Sequence, residues 1–175
     1  MPHLSPPLSI LTAATIACSA AIAAPVSAAN FSRIETAMSA ETCQAALPAF
    51  DGSIRKRPMA MMNEGAQHSI VTCAFSGVND STPATLGIQV YLVNSDTVSH
   101  TVTCTFIDGR AGFTNPLYVP RALAVAPGSE PQAILWTIGD SAETMVAGFV
   151  YPALSCDLAP KTGIRFTRRF YYEKY

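Results

Sequence analysis

Four cysteines stand out as the residues whose type and spacing could do chemistry: Cys43, Cys73, Cys104 and Cys156. Cysteines in such a set either bind a metal ion or form disulfides. Zinc sites usually bring their ligands in close pairs on a turn, whereas these cysteines are 30, 31 and 52 residues apart and no C-x-x-C occurs. The spacing therefore predicts two structural disulfides and no metal site.

Chain order favours one pairing of these cysteines, although four cysteines allow three. Consecutive strands often lie side by side, which favours Cys43–Cys73 and Cys104–Cys156. Each bridge would close a long loop and contribute about 2–4 kcal/mol, mainly by restricting the unfolded chain. The other two pairings stay open at this point.

Residues for nucleophilic or acid–base catalysis are present but not grouped. A triad needs a nucleophile beside a histidine and an orienting carboxylate; no G-x-S-x-G occurs, and the histidines after residue 29 are His68 and His100. The carboxylates that could act as a pair occur in turn contexts, where aspartate forms local hydrogen bonds, and they show no D-x-D-x-D calcium pattern: Asp80, Asp96, Asp108 and Asp140. We predict no catalytic residue, and a secreted hydrolase is kept as the second alternative.

A methionine cluster offers a second kind of chemistry. Met59, Met61 and Met62, with His68 nearby, could hold a cuprous ion because thioethers prefer soft metals. Methionines in a strand also fill gaps in a core, and we favour that interpretation. No metal and no cofactor is predicted.

The C-terminal segment, residues 165–175, interleaves basic and aromatic side chains. Strand alternation would put Arg165, Arg169 and Tyr171 on one side, where they could contact a glycan or an anionic polymer together. Arg55 and Lys56 would extend this binding surface if they lay alongside. The alternative is a structural strand with its arginines outward and its apolar residues near the core, namely Ile164, Phe166, Phe170 and Tyr172.

The elements that must position these residues are mostly strands. A period of two in residues 69–75, 86–93 and 101–106 indicates half-buried strands, and further candidates are 117–125, 133–138, 145–151 and 163–172. Clusters of Gly, Asn, Asp and Pro separate them, as turns require. Only residues 39–47 look helical, ended by Pro48. The pattern predicts an all-β fold, an antiparallel β-sandwich of about 7–9 strands with two disulfides.

The first 29 residues predict export. Residues 8–24 are almost wholly apolar or small and residues 27–29 are Ser-Ala-Ala, typical of a signal peptide with its cleavage site. We expect residues 1–29 to be this signal peptide and residues 30–175 to be one periplasmic or secreted domain. A membrane anchor is the competing interpretation, but the run is shorter than the roughly 20 residues a span needs; lipidation at Cys18 is another.

The charge of the chain limits the classes of partner that it is expected to bind. Eleven Lys and Arg face twelve Asp and Glu, a formal net charge of −1. A nearly balanced and sparse charge argues against a general nucleic-acid or anionic-membrane binder.

The motifs of the chain resemble those of small exported proteins common in proteobacteria, to which no activity is assigned. Those proteins share a Cys-Gln start, an N-x-G/S…V-x-C strand, a V-x-C-T strand, an L-x-C-x-L strand and a last strand closing on Tyr and Glu. The matching segments here are 41–44, 62–73, 102–106, 154–158 and 171–173. The resemblance implies fold and export and no activity.

The last strand also resembles the end of chaperone-assembled pilins, which begins near a glycine and alternates apolar residues. Such a subunit is completed by a donor strand from its neighbour. Lys174 stands where those pilins have tyrosine, so this is the alternative. We predict an exported, non-catalytic, self-contained monomeric domain whose role is surface recognition or structural.

Overall fold

The computed structural model of the protein describes residues 30–75, 85–109, 116–140 and 148–174. The described residues form eleven strands, which are β1 (Asn30–Met38), β2 (Cys43–Ala45), β3 (Ile54–Arg57), β4 (Ala60–Asn63), β5 (Ser69–Ala74), β6 (Thr85–Asn94), β7 (His100–Asp108), β8 (Leu117–Val125), β9 (Gly128–Thr137), β10 (Pro152–Leu158) and β11 (Thr162–Lys174). One short helix, α1 (Ser39–Thr42), follows β1, and two 3₁₀ turns occupy Pro48–Phe50 and Ile138–Asp140.

The strands form two antiparallel sheets. The six-stranded sheet has the order β3-β4-β11-β6-β9, with β1 also paired to β11, and the five-stranded sheet has the order β2-β5-β10-β7-β8. The predicted antiparallel β-sandwich with two disulfides is confirmed. The strand number exceeds the predicted 7–9 because β2, β3 and β4 are only three or four residues long, too short to show a period of two.

The core lies between the sheets and is built from alternate positions of the strands. Val90 and Leu92 of β6 and Val102 and Phe106 of β7 are fully buried, as the period of two predicted. Trp136 is fully buried against Phe106, and its indole Nε1 donates to a backbone carbonyl of β8 at 2.9 Å. The indole is thus buried without an unsatisfied donor.

Both disulfides lie within the five-stranded sheet. Cys43 of β2 bonds to Cys73 of β5, and Cys104 of β7 bonds to Cys156 of β10; this is the pairing that chain order favoured. Each pair is directly opposite in the strand register, and all four residues are buried. The bridges therefore join neighbouring strands and do not link one sheet to the other.

Three longer segments differ from the sequence-based expectation. Residues 30–38 were not among the predicted strands, yet they form the nine-residue strand β1. The helix predicted over residues 39–47 ends at Thr42, because Cys43 enters β2 to pair with Cys73. The strand predicted over 145–151 falls partly outside the described residues, and from 148 to 151 the chain forms only an isolated bridge between Phe149 and Thr85.

Strand β1 occupies the place beside the last strand. All nine of its residues pair with β11, from Asn30 opposite Lys174 to Met38 opposite Phe166. The position that a donor strand would fill in a pilin is therefore taken by this chain's own N-terminal strand.

None of the helices among the described residues has the length and apolar character needed to cross a membrane.

Candidate functional site

Strand β11 contains a bulge that decides which of its side chains face outward. Its register against β6 shifts between Ile164 and Phe166, which leaves Arg165 as the extra residue. Ile164 before the bulge is fully buried, and Thr167 and Arg169 after it are 1% and 8% exposed. Because alternation restarts after the bulge, Phe166, Arg168 and Phe170 face away from the core.

The predicted grouping of Arg165, Arg169 and Tyr171 on one exposed side is therefore wrong. Arg169 and Tyr171 share a side, with the guanidinium carbon 4.6 Å from the Tyr171 ring centre, but this is the inner side of the sheet. Arg169 pairs there with Glu35 of β1 at 2.7 Å. Arg165 lies on the outer side because the bulge separates it from the others.

The alternative, in which Ile164, Phe166, Phe170 and Tyr172 lie near the core and the arginines face out, holds only in part. Ile164 is fully buried and Arg165 and Arg168 face outward, as expected, but Arg169 faces inward, Tyr172 is 44% exposed, and Phe166 and Phe170 face away from the core. An unbroken alternation from Ile164 would place Phe166 and Phe170 inside the sandwich. One extra residue at 165 reverses this and brings the two phenylalanines to the surface together with Arg168. The sequence alone carries no visible signal for a bulge at this position.

The outer face of the six-stranded sheet carries a compact aromatic and polar cluster. The rings of Tyr91 (β6) and Phe166 (β11) stack with their centres 4.2 Å apart. The Arg168 guanidinium carbon lies 4.9 Å from the Tyr91 ring centre and 5.3 Å from that of Phe166. Arg168 donates to the Tyr91 hydroxyl at 2.8 Å, and this hydroxyl donates to Gln89 at 2.9 Å. We call these four residues the Tyr91 cluster.

Strand pairing fixes the neighbours of the Tyr91 cluster. Met38 of β1 and Ala133 of β9 flank the Phe166–Tyr91 pair in one row, while Thr36 and Leu135 flank Arg168 and Gln89 in the next. The small side chain of Ala133 leaves space beside Tyr91, and Leu135 is 38% exposed. The outer face therefore presents an accessible, mostly apolar surface around a fixed polar group.

An open recess of about 260 Å³ lies at one end of this surface, lined by Leu86, Gly87, Leu135, Thr137 and Phe170. Gly87 is what keeps it open: a Cβ there would lie 3.4 Å from the Phe170 ring and 3.1 Å from a backbone oxygen of β9. The Phe170 ring therefore borders the recess, and any side chain at position 87 would cover it.

A larger open pocket of about 420 Å³ lies toward the other end, beside Val93 of β6. Its lining includes the thioethers of Met59 and Met62 and the polar side chains of Arg165 and Asp96. A hydrogen bond from His100, with further ones from the Thr97 N–H and Lys161, holds the pKa of Asp96 well below its ordinary value. Asp96 therefore stays ionised while its charge is matched by Lys161 at 3.0 Å.

The two basic residues predicted to extend the binding surface separate in the structure. Arg55 lies opposite Met62, which faces the pocket, whereas Lys56 lies opposite Met61, which is buried in the core. By this register Arg55 belongs to the outer face, and Lys56 belongs to the inner side of an edge strand. Arg55 donates to the backbone carbonyl of Asp51 at 2.9 Å.

The methionines and His68 do not form a joint site. Met61 enters the core, as the favoured interpretation expected, while Met59 is 56% exposed. His68 pairs instead with Asp157 at 3.1 Å. No group of three or more His, Cys, Asp or Glu side chains within the described ranges is arranged to hold a metal ion.

The candidate catalytic residues take structural positions. His100 bonds to Asp96 at 2.8 Å, and Asp140 caps a strand end by accepting from the Thr137 N–H. Asp108 is fully buried and accepts from the N–H groups of residues 150 and 151. Asp80 lies outside the described residues. In the part of the chain that is described, neither His68 nor His100 bonds to a serine hydroxyl.

The comparisons with known proteins gave structural matches alone. No family model matches the chain, and no curated protein matches it. TmCBM61, solved with β-1,4-galactotriose, matches with a TM-score of 0.37 and 6% identity, over 81% of this chain and 88% of that one. A structure of carbohydrate-binding modules from the β-sandwich superfamily matches with a TM-score of 0.36 and 8% identity, over 85% of this chain and 56% of that one.

An F5/8 type C domain from Bacteroides fragilis matches with a TM-score of 0.37 and 12% identity, over 86% of this chain and 99% of that one. At these scores and identities the matches assign neither a ligand nor a site to this chain. The functional conclusion therefore has to come from its own residues.

Proposed function

We propose that the protein is an exported recognition domain that binds a glycan on the outer face of its six-stranded sheet. The observation that carries this proposal is the Tyr91 cluster. Aromatic surface and fixed hydrogen-bonding groups lie side by side there, on strands and not on loops.

The chemistry of the Tyr91 cluster suits a sugar. A sugar ring has an apolar C–H face, which packs against aromatic surface, and a rim of hydroxyl groups, which needs donors and acceptors. Tyr91 and Phe166 supply the first, while Gln89 and Arg168 supply the second. Because Arg168 and Gln89 are already held by the Tyr91 hydroxyl, little side-chain freedom is lost on binding.

The setting of the cluster also supports a site on a rigid element. Phe166 and Tyr91 are directly opposite on β11 and β6, the strand pair at the centre of the sheet. Residues beneath them, such as Val90 and Leu92, are fully buried. Sites built on strands hold their geometry better than sites on loops.

The test is a glycan array probed with residues 30–175, followed by titration calorimetry on any hit. We expect binding of wild type to at least one glycan and a loss of affinity of about 10- to 100-fold in Tyr91→Ala and in Phe166→Ala, since stacked aromatics in a binding site are worth about 1–3 kcal/mol. Both side chains lie outside the core, so the variants should stay folded.

Tyr118→Ala is the matched control, since Tyr118 is a 59% exposed tyrosine on β8 of the other sheet. Its affinity should equal that of wild type. Absence of binding to every glycan, or an equal loss in Tyr118→Ala, would refute the proposal.

The proposal includes export to an oxidising compartment. Two disulfides in a cytosolic protein would be unusual, whereas they are common in secreted and periplasmic ones. Three related statements remain predictions. They are that residues 1–29 are the signal peptide, that Cys18 is not lipidated, and that the chain groups with small proteobacterial exported proteins. Mass spectrometry of the exported protein, with a new N-terminus at residue 30, is the check.

A further inference from the structure

We infer that the glycan is an extended polymer carrying carboxylate or sulfate groups, lying along β6 from Gly87 to Val93 with an anionic group at Arg168. This inference rests on the proposed function and specifies the ligand of the same site. Two features of the outer face carry it: the charge state of its arginines and the arrangement of its recesses.

Arg168 differs from the other well-placed arginines of the chain. Arg57, Arg121 and Arg169 each pair with a carboxylate, on Glu64, Asp140 and Glu35 respectively. Arg168 pairs with no carboxylate of the described residues; its contacts there are the Tyr91 hydroxyl and the two aromatic rings. It is also partly buried, and its Nε has no hydrogen-bond partner.

A half-buried guanidinium without a counter-ion is unfavourable unless something else compensates it. Two ring faces compensate part of the cost. A ligand carboxylate or sulfate would supply the rest through a charge-assisted hydrogen bond, to which the forked guanidinium is suited.

The neighbours of Arg168 would not repel such a ligand. The outward positions of β1, β11, β6 and β9 around it hold no carboxylate in the three described rows that run from Met38, Thr36 and Ile34 across the sheet to Ala133, Leu135 and Thr137. Asp96, at the farther pocket, is matched by Lys161. Arg55 lies on the same face two strands from β11, but it is level with Gly163, at the end of the sheet that holds the 420 Å³ pocket, and is not a neighbour of Arg168.

The recesses indicate an extended ligand. The outward positions of β6 are Gly87, Gln89, Tyr91 and Val93; the first opens the 260 Å³ recess and the last borders the 420 Å³ pocket. Gly87 and Val93 are six residue steps apart along the strand, which is about 20 Å. A single sugar covers only the Tyr91 cluster, whereas a chain along β6 contacts both recesses as well.

The experiment compares polymers that share a backbone and differ in charge. Polygalacturonate is set against its full methyl ester, and dextran sulfate against dextran, which separates a carboxylate from a sulfate as the anionic group. We expect one acidic member to bind about 10- to 100-fold tighter than its neutral partner, with affinity falling as salt rises.

Arg168→Gln should abolish this preference, while Arg57→Gln, which removes an exposed arginine that already pairs with Glu64, should leave it intact. For the preferred backbone, affinity should rise with oligomer length until the chain spans about 20 Å of strand and then level off. Tyr91→Ala should weaken all members of the series.

The outcomes separate the two proposals. Equal affinity within both pairs, a preference lost equally in Arg57→Gln, or a single sugar that binds as tightly as the polymer would overturn this inference and leave glycan binding standing. Binding of only neutral glycans, with loss in Tyr91→Ala, would do the same. If no glycan or polymer binds at all, both proposals fall.

Discussion

Asn63 and Asn94 make the same three hydrogen bonds at two different corners of the sandwich. Each side-chain amide donates to the carbonyl four residues later and to the last carbonyl of a strand in the other sheet, Leu158 of β10 for Asn63 and Val125 of β8 for Asn94. Each side-chain oxygen accepts from the N–H two residues later. Both side chains are buried at the points where β4 and β6 end and the chain crosses to the other sheet.

Replacing either asparagine by alanine should destabilise the protein by about 2–4 kcal/mol, because three hydrogen bonds are lost and their buried partners are left unpaired. The two losses should be similar, since the bonding pattern is the same. Urea unfolding measures them, and Gln44→Ala, which removes an exposed amide from β2, is the control with an expected loss near zero. A loss below about 0.5 kcal/mol at either corner would contradict the shared role.

Removing each disulfide by a double Cys→Ala change should cost about 3–4.5 kcal/mol. The sequence separations are 30 residues for Cys43–Cys73 and 52 for Cys104–Cys156, and loop-closure entropy rises only slowly with length. The two variants should therefore be destabilised to a similar degree in urea unfolding. Thiol labelling of unfolded, unreduced wild type should find these four cysteines blocked; free thiols at all of them would refute both the pairing and the export argument.

Asp96→Asn should destabilise the protein more at neutral pH than in acid. The pKa of Asp96 is lowered in the folded state, first by the hydrogen bond from His100 and then by Thr97 and Lys161. A carboxyl group with a lowered folded pKa contributes stability above its unfolded value of about 3.9, and this contribution disappears as pH falls through the folded pKa.

The difference in unfolding free energy between wild type and Asp96→Asn should therefore be largest near pH 7 and shrink below about pH 4. Urea unfolding at a series of pH values measures it. Glu41→Gln, an exposed change in α1, provides the comparison. A difference that stayed constant down to pH 2.5 would show that Asp96 acts through packing and not through its charge.

Arg169 should prove to be a structural residue and not a ligand contact. Glu35→Ala removes the carboxylate that pairs with the largely buried guanidinium at 2.7 Å and should cost about 1–3 kcal/mol. Arg169→Met should lower the melting temperature but leave the glycan affinity of the folded protein within about twofold of wild type. Arg168→Gln, in contrast, should lower the affinity for the acidic ligand. A tenfold loss of affinity in Arg169→Met would mean that the inner side of β11 takes part in binding.

The strands around the two asparagine corners were predicted from the sequence, but the corners themselves were not. The segments Val71-Thr72-Cys73-Ala74-Phe75 and Val102-Thr103-Cys104-Thr105-Phe106 are near copies, and each follows an asparagine ten residues before its cysteine. Their alternation predicted two strands correctly. The repeat itself would have predicted the corners too, because the same spacing has to span the same distance between sheets.

The candidate site was less predictable, for a local reason. Alternation along β6 does place Tyr91 and Gln89 on the face away from the core, but nothing in the residue types marks that face as exposed and functional. On β11 the inward and outward sets were exchanged, because one bulged residue leaves no trace in composition. Arg168, for which the sequence analysis predicted no role, contacts the other three residues of the cluster or their immediate partners.

The bulge at Arg165 gives β11 two opposite phases in one strand. Ahead of it even-numbered Ile164 is inside, and beyond it odd-numbered Thr167 and Arg169 are inside. Tolerance to substitution along this strand should therefore be lowest at even-numbered positions before residue 165 and at odd-numbered positions after it. Deleting that single residue would remove the bulge and bring Phe166 directly after Ile164, so the strand would alternate regularly while Phe166 and Phe170 stay outside and Arg169 stays inside. Position 165 is therefore a place in β11 where the chain could lose one residue without exchanging the two faces of the sheet.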